Sequence, residues 1–119
     1  MNDVLDMMVV EELLSLSDDG DPELLLDLIQ LFLDDGPAKI AAIEQGISNG
    51  DFDQVERAAH ALKGSAGNLG AKLLQAVCEK LQRATRQHQL AEVTELAPQL
   101  HQRFSEAMQA LKDLQGKYA

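Results

Sequence analysis

The sequence predicts an all-α fold, an antiparallel up-down four-helix bundle with an extra N-terminal helix, and three observations carry that expectation. Apolar residues recur at i, i+3, i+4 and i+7 in five successive stretches. No run of Val, Ile, Thr or Tyr alternates with a period of two. Apolar residues make up 45% of the chain but aromatics only 3%, with no Trp, so aliphatic residues must fill the core. At 119 residues the chain reads as a single domain, 1–119, long enough to bury a core.

The first stretch, 3–16, puts Val4, Leu5, Met8, Val9, Leu13 and Leu16 on one side of an amphipathic helix that would cover one end of the bundle. Ser17-Asp18-Asp19-Gly20 is a turn cluster. Asp21-Pro22-Glu23 then reads as a helix start, with an acid at the N-cap and Pro at the first helical position. Leu25, Leu28, Ile29, Phe32, Ile40, Ile43 and Ile47 carry the stripe over 21–48. Gly36-Pro37 interrupts it, which predicts either one kinked helix or two nearly collinear ones.

Asn49-Gly50 ends that run, and Asp51 with Gln54 has capping-box spacing for a helix over 52–68. Gly70 is placed for a left-handed cap. The next helix, 71–87, turns Leu74, Val77, Cys78, Leu81 and Thr85 inward. The last, 90–115, buries Val93, Leu96, Leu100, Phe104, Ala107, Met108, Leu111 and Leu114. Pro98 predicts a kink or a later start there, and 116–119 are expected to fray. Short links between long helices make neighbours antiparallel.

Composition also narrows the function. A net charge of −10 argues against nucleic acid as a partner. The single cysteine, Cys78, gives neither an internal disulfide nor a zinc-like pair. The start MNDVLDMM is acidic, unlike a signal peptide, and the longest apolar run, 24–33, falls far short of a bilayer span. The expectation is a cytoplasmic protein with no membrane contact, free-standing from Met1.

Charge is unevenly spread. Residues 1–56 hold fifteen acids against one base, Lys39, whereas 57–86 hold six bases against one acid, Glu79. A basic island in an acidic protein points to an anionic ligand or partner surface.

The island surrounds the stretch RAAHALKGSAGNLG, 57–70. Val55, Ala58, Ala59, Leu62, Ala66 and Leu69 form its buried stripe, while His60, Lys63, Gly64 and Gly67 share the other side. Two interior glycines each cost roughly 1 kcal/mol relative to alanine, so something other than helix stability favours them. A neutral imidazole is a nucleophile near pH 7, and Lys63 is one turn on, within reach of an anion attached to the ring. The bare glycine positions would let another protein approach. These residues alone leave two readings open: transfer of a phosphoryl group from a docking protein, or a plain helical interaction module in which His60 is inert.

His60, Leu62, Lys63, Gly64, Ser65, Ala66, Leu69 and Gly70 resemble the signature of the histidine-containing phosphotransfer (HPt) domains of bacterial multistep phosphorelays. The resemblance implies that His60 accepts the phosphoryl group through Nε2, that Lys63 balances its charge, and that Gly64 leaves room for the partner. It also implies a polar residue on the following helix that holds Nδ1, and Gln82 stands at that place, where an antiparallel pair turning near Gly70 would bring it beside His60. Arg57, Gly64 and Gly67 would form the docking face. The partners implied are receiver domains, one of a hybrid sensor histidine kinase and one of a response regulator. No cofactor is expected on this chain, Mg²⁺ belonging to the receiver, and no kinase activity of its own. His88, His101 and Cys78 show no metal-ligand spacing, and no nucleotide-binding motif is present.

Overall fold

Five α-helices and one short 3₁₀ turn make up the computed structural model, which describes residues 4–119, with Asp18 in backbone only. The helices are α1 (Met7–Ser15), α2 (Glu23–Asn49), α3 (Phe52–Asn68), α4 (Lys72–Arg86) and α5 (Leu90–Tyr118), with the 3₁₀ turn at Asp18–Gly20 between α1 and α2. In the bundle, α3 packs between α2 and α4, and α5 closes the ring by packing on α4 and α2. The 29 residues of α5 span about 43 Å at 1.5 Å per residue, nearly the full 48 Å length of the molecule.

Each bundle helix buries the stripe its spacing predicted. Leu25, Ile29, Phe32, Ile40 and Ile43 of α2 meet Val55, Ala59, Leu62 and Ala66 of α3, and Leu74, Val77, Leu81, Leu100 and Leu111 complete the core from α4 and α5. Leu28, Ile47, Ala58 and Met108, also expected inside, are half-buried at its margin.

The N-terminal helix departs most from expectation. It was predicted over 3–16, but Met1–Asp3 lie outside the described residues and the helix begins only at Met7. Asp6 explains the late start: its side chain accepts from Met8 N–H at 3.0 Å, an N-cap bond that fixes the first turn there. Leu5 precedes the helix and is buried all the same, while Met8 and Leu16, expected on the apolar face, are 70% and 72% exposed. Val10 takes the buried position instead.

Two prolines proved easier to accommodate than their chemistry suggested. Pro37 and Pro98 lie inside helices that run without a break, so α2 is one helix and α5 starts at Leu90. Each removes one ladder donor, and the buried stripe on either side keeps the helix together. Gly36, beside Pro37, is buried because the Phe104 ring occupies the space where its Cβ would stand, 3.0 Å away. α5 also runs on to Tyr118, past the 90–115 expected of it.

The caps differ in detail. Pro22, not Asp21, is the N-cap of α2, and Asp21 Oδ1 accepts from Glu23 N–H at 3.0 Å. Asp51 caps α3 by accepting from Gln54 N–H at 3.1 Å. The return bond of a capping box is not made, because Gln54 Nε2 donates to the Ala42 carbonyl at 2.9 Å and the Asp51 N–H donates to Gly46 O at 2.8 Å.

The turn that matters to the site joins α3 to α4. Gly70 has φ +74°, the left-handed geometry expected of it. Ala71 N–H donates to Ala66 O at 2.9 Å and closes the end of α3. Gly70 is also clamped by the N-terminal segment: Asp6 N–H donates to its carbonyl at 2.7 Å, and a Cβ there would stand 2.8 Å from Asp6 O. The segment before α1 therefore fixes the turn that sets the register of α3 against α4.

Candidate functional site

That register lays out the site as a seam. Down α3, Glu56, His60 and Gly67 face, in turn, Arg86, Gln82 and Gln75 of α4. Steps of four and seven residues on one helix match the same steps on the other, as two antiparallel helices pivoting about one turn require.

His60 is exposed, and Gln82 beneath it is only 2% exposed. Gln82 Nε2 lies 3.2 Å from His60 Nδ1. One ring nitrogen is thereby braced from the interior, and Nε2 is left to face outward. The amide has two orientations with different chemistry. With its nitrogen toward the ring it donates to an unprotonated Nδ1, the ring proton sits on the outer Nε2, and Gln82 Oε1 stays buried without a partner. With its oxygen toward the ring it accepts from Nδ1–H, and the outer Nε2 carries a free lone pair.

Lys63, half-buried, follows one turn after His60 on the same side of α3. It makes no ion pair among the described residues, nor do Arg57, Lys72 and Lys80. Arg86 is different: its Nε donates to Glu56 Oε1 across the seam. Arg83 meets Glu79 only at 3.9 Å, both well exposed, which contributes little. Cys78, buried under this surface, has its thiol pKa pushed up to about 12 by desolvation, against a smaller downward pull from the Lys63 charge. The thiol is therefore protonated and inert at neutral pH.

The two glycines play different parts. A Cβ on Gly64 would meet nothing within 4 Å, so that surface is open beside His60. Gly67, expected to be equally bare, is half-buried and covered by the Gln75 side chain. Spacing along one helix cannot show this, because the cover comes from α4.

The other histidines lie elsewhere. His88 stacks on Phe52 with ring centroids 6.0 Å apart, and His101 Nδ1 lies 3.1 Å from Glu44 Oε1. Among the described residues no group of three or more His, Cys, Asp or Glu is placed to hold a metal ion, and no helix is long and apolar enough to cross a membrane.

A family model described as the Hpt domain matches residues 27–114, three quarters of the chain and all of the seam. The chain belongs to the Hpt domain family. Histidine-containing phosphotransfer protein 5 of Arabidopsis thaliana is 36% identical over 70 residues, covering 56% of this chain and 45% of that protein. Multistep phosphorelay regulator 1 of Schizosaccharomyces pombe is 27% identical over 79 residues, 66% of this chain and 27% of that one. The chain thus spans less than half the length of these curated relatives. The crystal structure of histidine-containing phosphotransfer protein B from Pseudomonas aeruginosa superposes with a TM-score of 0.88 at 24% identity, covering 100% of both chains. This Hpt domain therefore has the all-α fold expected of it, four-helix bundle and N-terminal helix included.

Proposed function

We propose that this Hpt domain is a phosphorelay intermediate that takes a phosphoryl group onto His60 from a receiver-domain aspartate and passes it to an aspartate of another receiver. The observation that carries the reading is an exposed imidazole braced at Nδ1 by the buried Gln82 amide. The chemistry requires the orientation in which Gln82 Oε1 accepts from Nδ1–H. His60 Nε2 then attacks phosphorus in line, the bond from phosphorus to the aspartyl oxygen breaks, and the receiver recovers its carboxylate. The ring becomes cationic while Nδ1 keeps its proton, and the Gln82 carbonyl stabilises that charge. Unpaired Lys63 offsets the phosphoryl charge, Gly64 gives the receiver room to approach, and Arg57 joins the rim of the docking face.

The sequence carries no nucleotide-binding motif, which suits a phosphocarrier rather than a kinase. The receiver would supply the acidic pocket and the Mg²⁺ that neutralises the transferring group. The partners are then receivers of a hybrid sensor histidine kinase and of a response regulator, meeting a monomeric carrier in the cytoplasm.

Incubation with phosphorylated receivers tests this. His60 should gain an acid-labile, hydroxylamine-resistant phosphate, and His60→Gln should gain none while keeping its helical circular dichroism. A labelled His60→Gln protein, or an unlabelled wild type across all the receivers of the source organism, would leave the inert interaction module as the better reading.

A further inference from the structure

Gln75 and Gly67 form a feature that the transfer chemistry above does not use. Gln75 stands on α4 seven residues before Gln82, along the same seam. Its whole amide lies over the backbone of Gly67: a Cβ there would be 2.8 Å from Nε2, 3.2 Å from Cδ and 3.5 Å from Oε1. Glycine is the residue least suited to a helix interior after proline, and here it leaves a bed for that amide. The amide makes no hydrogen bond to the protein among the described residues, and Gln75 is exposed. Its donors and acceptor are therefore unspent.

Gly67 is seven residues from His60, about 10 Å along α3. A docking patch of about 800 Å² on one partner is roughly 30 Å across, so a protein centred on His60 covers Gln75 as well. Between the two lie Lys63 and the open Gly64.

We propose that Gln75, laid across Gly67, is a docking residue for the receiver, its amide hydrogen-bonding a polar group on the incoming domain. The proposal rests on the phosphorelay reading and adds a docking contact to it.

Transfer from acetyl-phosphate-labelled receiver domains, followed at varied carrier concentration, tests the proposal in wild type, Gln75→Ala, Gly67→Ala and the double variant. Gln75→Ala should raise the half-saturating concentration about three- to tenfold, the worth of one hydrogen bond, with saturating rate and melting temperature retained. Gly67→Ala should dislodge the amide and give a similar loss, although its melting temperature holds or rises. The double variant should be no worse than either single one, because both remove the same contact. The proposal is overturned if Gln75→Ala keeps wild-type half-saturation toward every receiver that labels His60, or if the loss is confined to saturating rate or melting. A wild-type protein that no receiver labels overturns the phosphorelay reading itself, and this proposal with it.

Discussion

Gly64 is the position at which helix stability and access to His60 can be tested against each other. Its missing side chain clears nothing inside the isolated protein, since a Cβ would meet no atom within 4 Å. Alanine there should raise stability by up to about 1 kcal/mol, measured by urea unfolding, because helix propensity is the only folding quantity that changes. Transfer to His60 should nevertheless slow, by about tenfold or more, since a small displacement of the reacting atoms is costly. Transfer at the wild-type rate would remove Gly64 from the docking face. Lys63→Ala should separate in the other direction, slowing transfer or shortening phosphohistidine lifetime while His60 still takes the label. His60, Lys63 and Gly64 were legible because they sit within one turn of one another on one helix. Gln82 required pairing two helices across a turn, and its depth could not be seen from its own helix, where a glutamine between Leu81 and Arg83 reads as surface. The cover that Gln75 gives to Gly67 depends on interhelical distance, which no spacing encodes.

At the level of the helices, α4 couples site and core through Cys78, which belongs to its buried stripe and feels the Lys63 charge. Burial pushes its thiol from 9.0 up to about 12. Below about pH 9 both folded and unfolded chains hold the proton, so the group has no effect on stability. Between about 9 and about 12 the unfolded chain loses the proton while the folded one keeps it. Stability should then fall as pH rises, by up to about 1.4 kcal/mol per unit from this group. Cys78→Ala, somewhat less stable at about pH 8 for its lost packing, should lose less on going to about pH 10.5; equal alkaline slopes in urea unfolding would contradict the burial argument. The bundle stripes were readable because burial enforces the 3.6-residue period wherever a helix has one wet face. α1 was not, because it is short and its start is decided by one cap bond from Asp6 to Met8 rather than by its apolar pattern. The prolines misled in the same way: a local cost was weighed without the packing on either side that outweighs it.

Across the whole molecule, charge separates as the chain does. The acidic first half supplies α1, α2 and the start of α3, while the basic residues cluster on the α3–α4 seam and the outer side of α4. Four of those cations, Arg57, Lys63, Lys72 and Lys80, have no carboxylate partner among the described residues, so their field reaches outward. On the phosphorelay reading proposed above, an acidic pocket on the receiver would be the complement, and such pairing accelerates encounter more than it tightens the final complex. The screening length shortens from roughly 14 Å to roughly 4 Å between about 0.05 and about 0.5 M salt. The second-order rate constant for transfer should fall by about tenfold over that range, while the rate at saturating carrier stays nearly level. Reversing two charges on the flank of α4, with Lys72→Glu and Lys80→Glu together, should lower the low-salt rate constant and flatten the salt dependence without touching His60 or Gln82. A rate constant indifferent to salt in the wild type would mean that the uneven charge serves solubility alone and that docking is found through shape and the polar contacts beside Gly64.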